Sequence, residues 1–356
     1  MSAAVPDGAP PRTPGSLSHA PAQPKSRLAT AASSLVRARE TGILLALLLV
    51  ILAATIKNPN FLFSDDGFRD LLLTPAILML VAVGQAIVII TRNVDLSVGS
   101  VLGLSAYATG RLFIDLPDIP IIVVFLIGMA FGALLGLING ALIAFAKVPA
   151  LVITLGTLYV YRGINVVWTG SDRINSSDMP AEFLALGTGS VLFIPILTTI
   201  AVVVLVIAGW YMKNKRGGRE LYAIGSDPAA ANLYGLKVTQ RVLVAFVVCG
   251  ALAGLAGVLY AARYGTVNSQ AGSGFELLAV GAAVIGGVAI FGGSGSVWGA
   301  AIGAYLLLTI NRALPILGVP DFWQRAVVGV LIISAIVLDR LLAIRQARQL
   351  VEARDI

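Results

Sequence analysis

Of 356 residues, 58% are hydrophobic and only 12% are charged, with a formal net charge of +7. A soluble domain carries about 25% charged residues, so the chain reads as an all-α polytopic membrane protein and not a globular one. One cysteine, Cys249, and one histidine, His19, exclude an intrachain disulfide, a multi-cysteine metal site and histidine chemistry within the membrane.

Residues 1–41 form an N-terminal tail, rich at first in Pro, Ala, Ser and Gly, that is expected to be disordered and cytoplasmic. The first apolar run starts only at Gly42, too late for a cleaved signal peptide. Ten spans are predicted in the transmembrane part, residues 42–340. They cover 42–56, 71–91, 96–114, 120–146, 149–168, 191–212, 241–262, 275–291, 297–317 and 322–340. Residues 341–356 follow as a cytoplasmic tail. With the N-terminus inside, the loop 213–241 collects six Lys or Arg against two acids, and the C-terminal end carries Arg340, Arg345, Arg348 and Arg354. The opposite side collects acids such as Asp65, Asp66, Asp70, Asp115, Asp118, Asp172, Asp178 and Glu182. That asymmetry is the expected one for cytoplasmic termini. The positive charge is therefore no nucleic-acid footprint, and no nucleic-acid partner is expected. Glycines at Gly128, Gly132, Gly136 and Gly140, and at Gly250, Gly254 and Gly257, predict helices that approach closely.

The polar stretch 91–100 lies between two apolar runs. Asp95 is placed to cap a helix beginning at Leu96. The other reading is a broken helix lining a pathway, where irregular backbone is tolerated against protein or water. Gln85, Asn139, Asn165 and Asn311 are uncharged polar residues within spans, suited either to bonding solute hydroxyls or to cross-linking helices. With Asn93, Asp95, Ser97, Arg162 and Glu276 they are the candidate pathway residues. No G-x-x-x-x-G-K-[ST] stretch exists, so the chain has no P-loop of its own. No cofactor and no catalytic residue is expected.

The loop 213–241 carries a helix signal of its own. Asp227 is an N-cap, Pro228 suits the first helical position, Ala229, Ala230 and Ala231 favour helix, and Gly235 can close it in the left-handed conformation. A short helix between the sixth and seventh spans, outside the membrane, is predicted as the contact for an energy-supplying partner.

Several motifs together resemble the permease subunits of bacterial ATP-binding-cassette importers for monosaccharides, the ribose, xylose, rhamnose and autoinducer-2 group. They are Asp95-Leu96-Ser97-Val98-Gly99-Ser100, Leu155-Gly156-Thr157 with Tyr161-Arg162-Gly163, and Gly218-Arg219-x-x-Tyr222-Ala223-x-Gly225 running to Ala229-Ala230 and Gly235. The last are Gly272-x-Gly274-x-Glu276-Leu277, Gly286-Gly287 and Phe291-Gly292-Gly293-Ser294-Gly295. The resemblance spans residues 42–340. It implies an inner-membrane permease driven by a separate ATPase subunit, supplied by a periplasmic sugar-binding protein and paired with a second permease copy in the lipid bilayer. It implies that Arg219, Tyr222, Gly225, Asp227, Pro228, Ala229, Ala230 and Gly235 couple to the ATPase. Relatives often have Asn-Glu where this chain has Asp227-Pro228, which keeps the cap and drops the acid. A secondary carrier or channel for a small polar solute is the alternative.

Overall fold

The structure is a computed structural model that describes residues 39–146, 148–170, 172–320, 322–324, 326–334 and 336–337. Of the expected tails, residues 1–38, with His19, and 341–356 lie outside the described residues, as do 338–340, while Arg39–Thr41 already belong to the first helix.

The described residues are almost wholly helical. They are α1 (Arg39–Lys57), α2 (Asn60–Phe63), α3 (Asp65–Leu73), α4 (Pro75–Ile90), α5 (Val98–Asp115), α6 (Ile121–Ala146) and α7 (Ala150–Thr169). There follow a 3-10 turn (Ser176–Asp178), α8 (Ala181–Thr188), a hairpin of β1 (Ser190–Val191) and β2 (Ile194–Pro195), and α9 (Ile196–Asn214). The rest are α10 (Arg216–Ser226), α11 (Pro228–Leu233), α12 (Val238–Tyr264), α13 (Phe275–Ile285) and α14 (Val297–Ile316).

Among the described residues, six helical stretches are long and apolar enough to cross a membrane: Asp65–Ile90, α6, α7, α9, α12 and α14. Shorter apolar helices cover Thr41–Lys57, Phe275–Ile285 and Phe322–Ser334. α5 has 18 residues but carries Ser100, Ser105, Thr109 and Arg111 among its apolar ones. The chain is thus a polytopic membrane protein, with several expected spans realised as shorter or more polar helices.

α4 is the axis of the bundle. Each of its 16 residues is buried, as a helix apolar on all faces must be. α9, α12, α13 and α14 pack around it. α6 and α7 lie outside and expose Leu126, Leu134, Leu151, Val160 and Val167, the surface a bilayer would cover.

The most extensive helix pair is α6 with α12. A Cβ added at Gly132 would stand 2.2 Å from the Gly250 carbonyl oxygen, and one at Gly250 would stand 2.3 Å from that of Gly132. The two backbones therefore touch, and dispersion over this seam holds the pair where no hydrophobic drive acts between helices in lipid.

Two expected boundaries shift. The span predicted over 191–212 begins as a hairpin, pairing Ser190 with Pro195 and Val191 with Ile194, and the helix starts after Pro195. Leu192 and Phe193 form its tip at positive φ, 50° and 68°, the geometry of a type I′ turn. The span predicted over 275–291 contains only the 11 residues of α13. At 1.5 Å per residue that is about half of a ~30 Å hydrocarbon core.

The α6–α12 seam generates a prediction. Gly132→Leu should destabilise the detergent-solubilised protein by about 1–3 kcal/mol or more through overpacking. Gly42→Leu, where a new Cβ meets nothing within 4 Å, should change the thermal unfolding midpoint little. Equal midpoints for the two variants would contradict the seam.

Candidate functional site

Between Ile90 and Val98 the chain leaves helical geometry, yet Asp95 and Ser97 stay buried. Its polar groups are met from three helices, α4, α6 and α7. In the orientation that satisfies both partners, the Gln85 amide donates to the Asp95 carbonyl at 3.1 Å and accepts from the Asp95 N–H at 3.2 Å. The Asp95 carboxylate accepts from the Ser97 N–H at 2.9 Å and the Ser97 hydroxyl at 2.7 Å. Asn139 on α6 donates to the Ser97 hydroxyl oxygen at 2.7 Å. From α7, Thr154 donates to the Val94 carbonyl at 3.1 Å, and the Tyr161 hydroxyl donates to the Leu135 carbonyl at 3.0 Å beside Asn139. Gln85, Asp95, Ser97, Asn139 and Thr154 are all essentially buried, none more than 1% exposed.

This corrects the cap reading of Asp95. The helix begins at Val98, and Asp95 closes the turn before it through Ser97. Both bonds fall on Asp95 Oδ1, so the carboxylate closes a two-residue turn ahead of the helix.

A second break faces the first. Gly272 and Gly274 have φ +73° and +86°, and they lead into the half-length α13. A Cβ on Gly272 would come within 2.2 Å of the Gly99 carbonyl oxygen, and one on Gly99 within 2.1 Å of Glu276 Oε2. Glu276 Oε1 accepts from the Gly274 N–H at 3.2 Å, while its Oε2 is buried without a partner. Arg162 on α7 donates to the Ala271 carbonyl at 2.7 Å and the Ser269 carbonyl at 3.3 Å. Asn165 donates to the Ser269 carbonyl at 3.2 Å and leaves its own Oδ1 unpaired.

Eight of the nine candidate pathway residues therefore line or brace these two interruptions. Asn93 is among them and turns back onto Thr91, 2.9 Å from its carbonyl. Asn311 stands apart on α14, next to Arg312, whose guanidinium donates to the Gly67 carbonyl at 2.8 Å. Thr154 and Ser100, the latter donating to the Leu158 carbonyl at 2.9 Å, belong to the same bracing and were not singled out from the sequence. Hydroxyls that bond a distant backbone leave no local signal.

At the end of the bundle where α4 stops, α10 and α11 form a compact module. α10 buries Leu221 and Ile224. Its Glu220, 10% exposed, lies between Arg216 at 2.7 Å and Arg241 of α12. The Arg216 hydrogen bond, reinforced by the hydrogen bond and charge of Arg241 and opposed by burial, holds this carboxyl below its usual range. Arg219 donates to the Asn214 carbonyl at 3.2 Å. Tyr222 donates to the Gly295 carbonyl at 3.1 Å.

Asp227 Oδ1 accepts from the N–H groups of Ala229 at 2.9 Å and Ala230 at 3.0 Å, and Pro228 occupies the first turn. Gly235 has φ +77°. The Leu236 N–H reaches the Ala231 carbonyl and the Gly235 N–H that of Asn232, each at 3.0 Å, the double bond of a Schellman stop. The helix ends on Leu233 and Tyr234, 88% and 87% exposed.

The module is fastened to the first interruption. A Cβ on Gly225 would lie 1.7 Å from the Ile90 carbonyl oxygen and 2.5 Å from the Gly293 nitrogen. The Gly293 N–H donates to Ile90 at 2.9 Å. Three backbones thus meet where glycine alone leaves room.

The family described as branched-chain amino acid transport system / permease component matches residues 68–336. Among curated proteins, the chain is 36% identical over 306 residues to the autoinducer 2 import system permease protein LsrC of Enterobacter sp. (strain 638), covering 86% of this chain and 88% of that one. It is 34% identical to LsrC of Shigella flexneri, covering 85% and 86%. It is also 34% identical to LsrC of Klebsiella pneumoniae subsp. pneumoniae, covering 86% and 88%. No solved structure gives a significant match.

Two predictions come from this geometry. Gln85→Leu strands the Asp95 N–H and C=O in a dry interior and should cost about 1–3 kcal/mol in detergent unfolding, whereas Asn311→Ala should stay within about 0.5 kcal/mol of the parent. Glu220→Gln should lower the thermal midpoint at neutral pH. A depressed carboxyl contributes stability above its unfolded pKa and loses it as pH falls through the folded one, so the gap should close below about pH 4. Thermal scans from pH 7 to pH 3 check the sign.

Proposed function

The chain belongs to the family of branched-chain amino acid transport system permease components, and on that premise we propose that it is the transmembrane permease of an ATP-binding-cassette importer for a sugar of the autoinducer-2 type. It is a multi-pass protein of the inner membrane and carries out no catalysis itself. The relatives' role in autoinducer 2 import, over most of both chains, supports the solute class.

The observation that carries the mechanism is the capped helix α11, which is stiffened at both ends and offers an apolar tip outside the bundle. A segment that needed only to connect two spans would not require a cap, a left-handed stop and an exposed Leu-Tyr pair. A separate ATPase subunit grips α11 from the cytoplasm, with both termini on that side. A periplasmic sugar-binding protein delivers the solute at the opposite face, and a second permease copy completes the conduit.

In this reading Arg219, Tyr222, Gly225, Asp227, Pro228, Ala229, Ala230 and Gly235 build and hold the lever. Asp227 and Gly235 stiffen its ends, and Tyr222 and Gly225 join it to the bundle. Gln85, Asn93, Asp95, Ser97, Asn139, Arg162, Asn165 and Glu276 shape the wall of the conduit at the two interruptions. Irregular backbone at membrane depth is sustained there by protein contacts. Discontinuous helices of this kind are where transporters place their solute sites. Glu276 Oε2 and Asn165 Oδ1 are the acceptors left over for sugar hydroxyls.

The test is uptake of autoinducer 2, with ribose and rhamnose as competitors, in proteoliposomes with the partner ATPase and binding protein. Uptake should require ATP and should vanish when the ATPase is omitted. Full uptake without it would favour a secondary carrier. Leu233→Ala with Tyr234→Ala should weaken ATPase association about tenfold or more, as expected for exposed anchor residues at an interface. Gly235→Val, which forces a β-branched residue to positive φ, should lower uptake while the bundle stays folded.

A further inference from the structure

Arg92 occupies the position at which a helix ordinarily ends on glycine. Its φ is +65°. The Arg92 N–H returns to the Ile89 carbonyl at 2.9 Å, and the Asn93 N–H to that of Val88 at 3.3 Å, so α4 stops in a left-handed residue that carries a full side chain. That conformation disfavours any L residue with a Cβ, and glycine would adopt it freely. The side chain must therefore supply something that compensates.

The structure shows what it supplies. Arg92 Nε donates to the Gly225 carbonyl and Nη2 to the Ser226 carbonyl, the last two of α10. Terminal carbonyls have no partner within their own helix, and the helix dipole is negative at that end. A forked guanidinium suits both at once. Gly292 makes room for the stem: a Cβ there would lie 2.3 Å from Arg92 Cγ. On one side of Arg92, Ser226 is followed directly by Asp227, the cap of α11. On the other, Asp95 follows within the same turn, locked to Gln85 and, through Ser97, to Asn139.

We propose that Arg92 is the positioning residue that transmits displacement of α11 to the interrupted segment 91–97, its guanidinium tying the end of α10 to the end of α4. The inference rests on the importer reading and adds to it the route of the stroke. Two short rigid pieces, α10–α11 and the 91–97 turn, move together because one side chain bridges them at two points. Without the bridge the module keeps the Tyr222–Gly295 bond, the Glu220–Arg241 ion pair and the Gly225–Gly293–Ile90 packing. They reach α12, the 293–295 loop and the end of α4, and none of them is a bond to residues 91–97.

The experiment uses the complete transporter in proteoliposomes: the permease with its ATPase and loaded binding protein. Solute uptake, ATP hydrolysis and thermal stability are measured for the parent, Arg92→Gly and Arg92→Lys. Arg92→Gly removes the bridge and relieves the backbone. Its thermal stability should match or exceed that of the parent, its basal ATP hydrolysis should persist, and solute moved per ATP should fall about tenfold, within the span of residue-level coupling effects. Arg92→Lys, with one ammonium in place of a fork, should fall between the two. Parental coupling in Arg92→Gly would overturn the proposal. So would a loss of uptake and hydrolysis in equal proportion, which marks a residue that only holds the fold. A parent that shows no ATP-dependent uptake would instead sink the importer reading itself.

Discussion

The two hydrogen bonds between the Gln85 amide and the Asp95 backbone are the interaction on which this architecture turns. A chain that stops being helical inside a bilayer must satisfy its freed N–H and C=O groups with protein, because lipid offers nothing. One glutamine on an otherwise apolar axis does this for the residue at the centre of the break. Once Asp95 is fixed, its carboxylate fixes Ser97, Ser97 receives Asn139, and Tyr161 closes over Asn139. α4, α5, α6 and α7 are thereby referred to one short irregular segment. A bundle held only by dispersion could slide, whereas one keyed to a satisfied polar turn has a defined register.

Close backbone approach is the complementary device. The α6–α12 seam and the meeting of Gly225, Gly293 and Ile90 both depend on absent side chains, but to different ends. Along the seam the contact is long and makes the outer helix part of the body. At the junction it is a single point, beside which a long cationic side chain is allowed to cross. Helices are thus joined backbone to backbone along the bundle, and at one end a side chain adds the link.

The sequence shows much of the frame because the frame is local. The limits of α6, α7 and α14 fall within a residue of the apolar runs, at 121–146, 150–169 and 297–316, since hydrophobic length and flanking Pro or polar residues set them. The cap of α11 is equally local: Asp227, Pro228 and Gly235 each act on backbone a few residues away. What apolarity does not encode is where an apolar run ceases to be helical. Over residues 275–291 the helix starts with the apolar run but stops at Ile285, and the Gly286-Gly287 pair, with Gly287 at φ +85°, is the local mark of that stop. Long-range bonds are hidden for the same reason. Nothing near Asn139 announces a serine 42 positions earlier, and Arg92 reads as an ordinary basic residue at the foot of a span until its carbonyl partners, more than a hundred residues away, are in place.

The sheathing of α4 also bears on biogenesis. The chain is made from its N-terminus, so α4 enters the membrane long before α12 and α14, the helices that finally cover it. In the interval it must rest against lipid. A surface apolar except for Gln85 lets it wait there at little cost, and Gln85 is the one side chain that prefers the finished protein to the bilayer. The most protected helix of the mature fold is therefore, at the ribosome, the most patient one, and the polar turn that follows it settles only after its later neighbours have been synthesised.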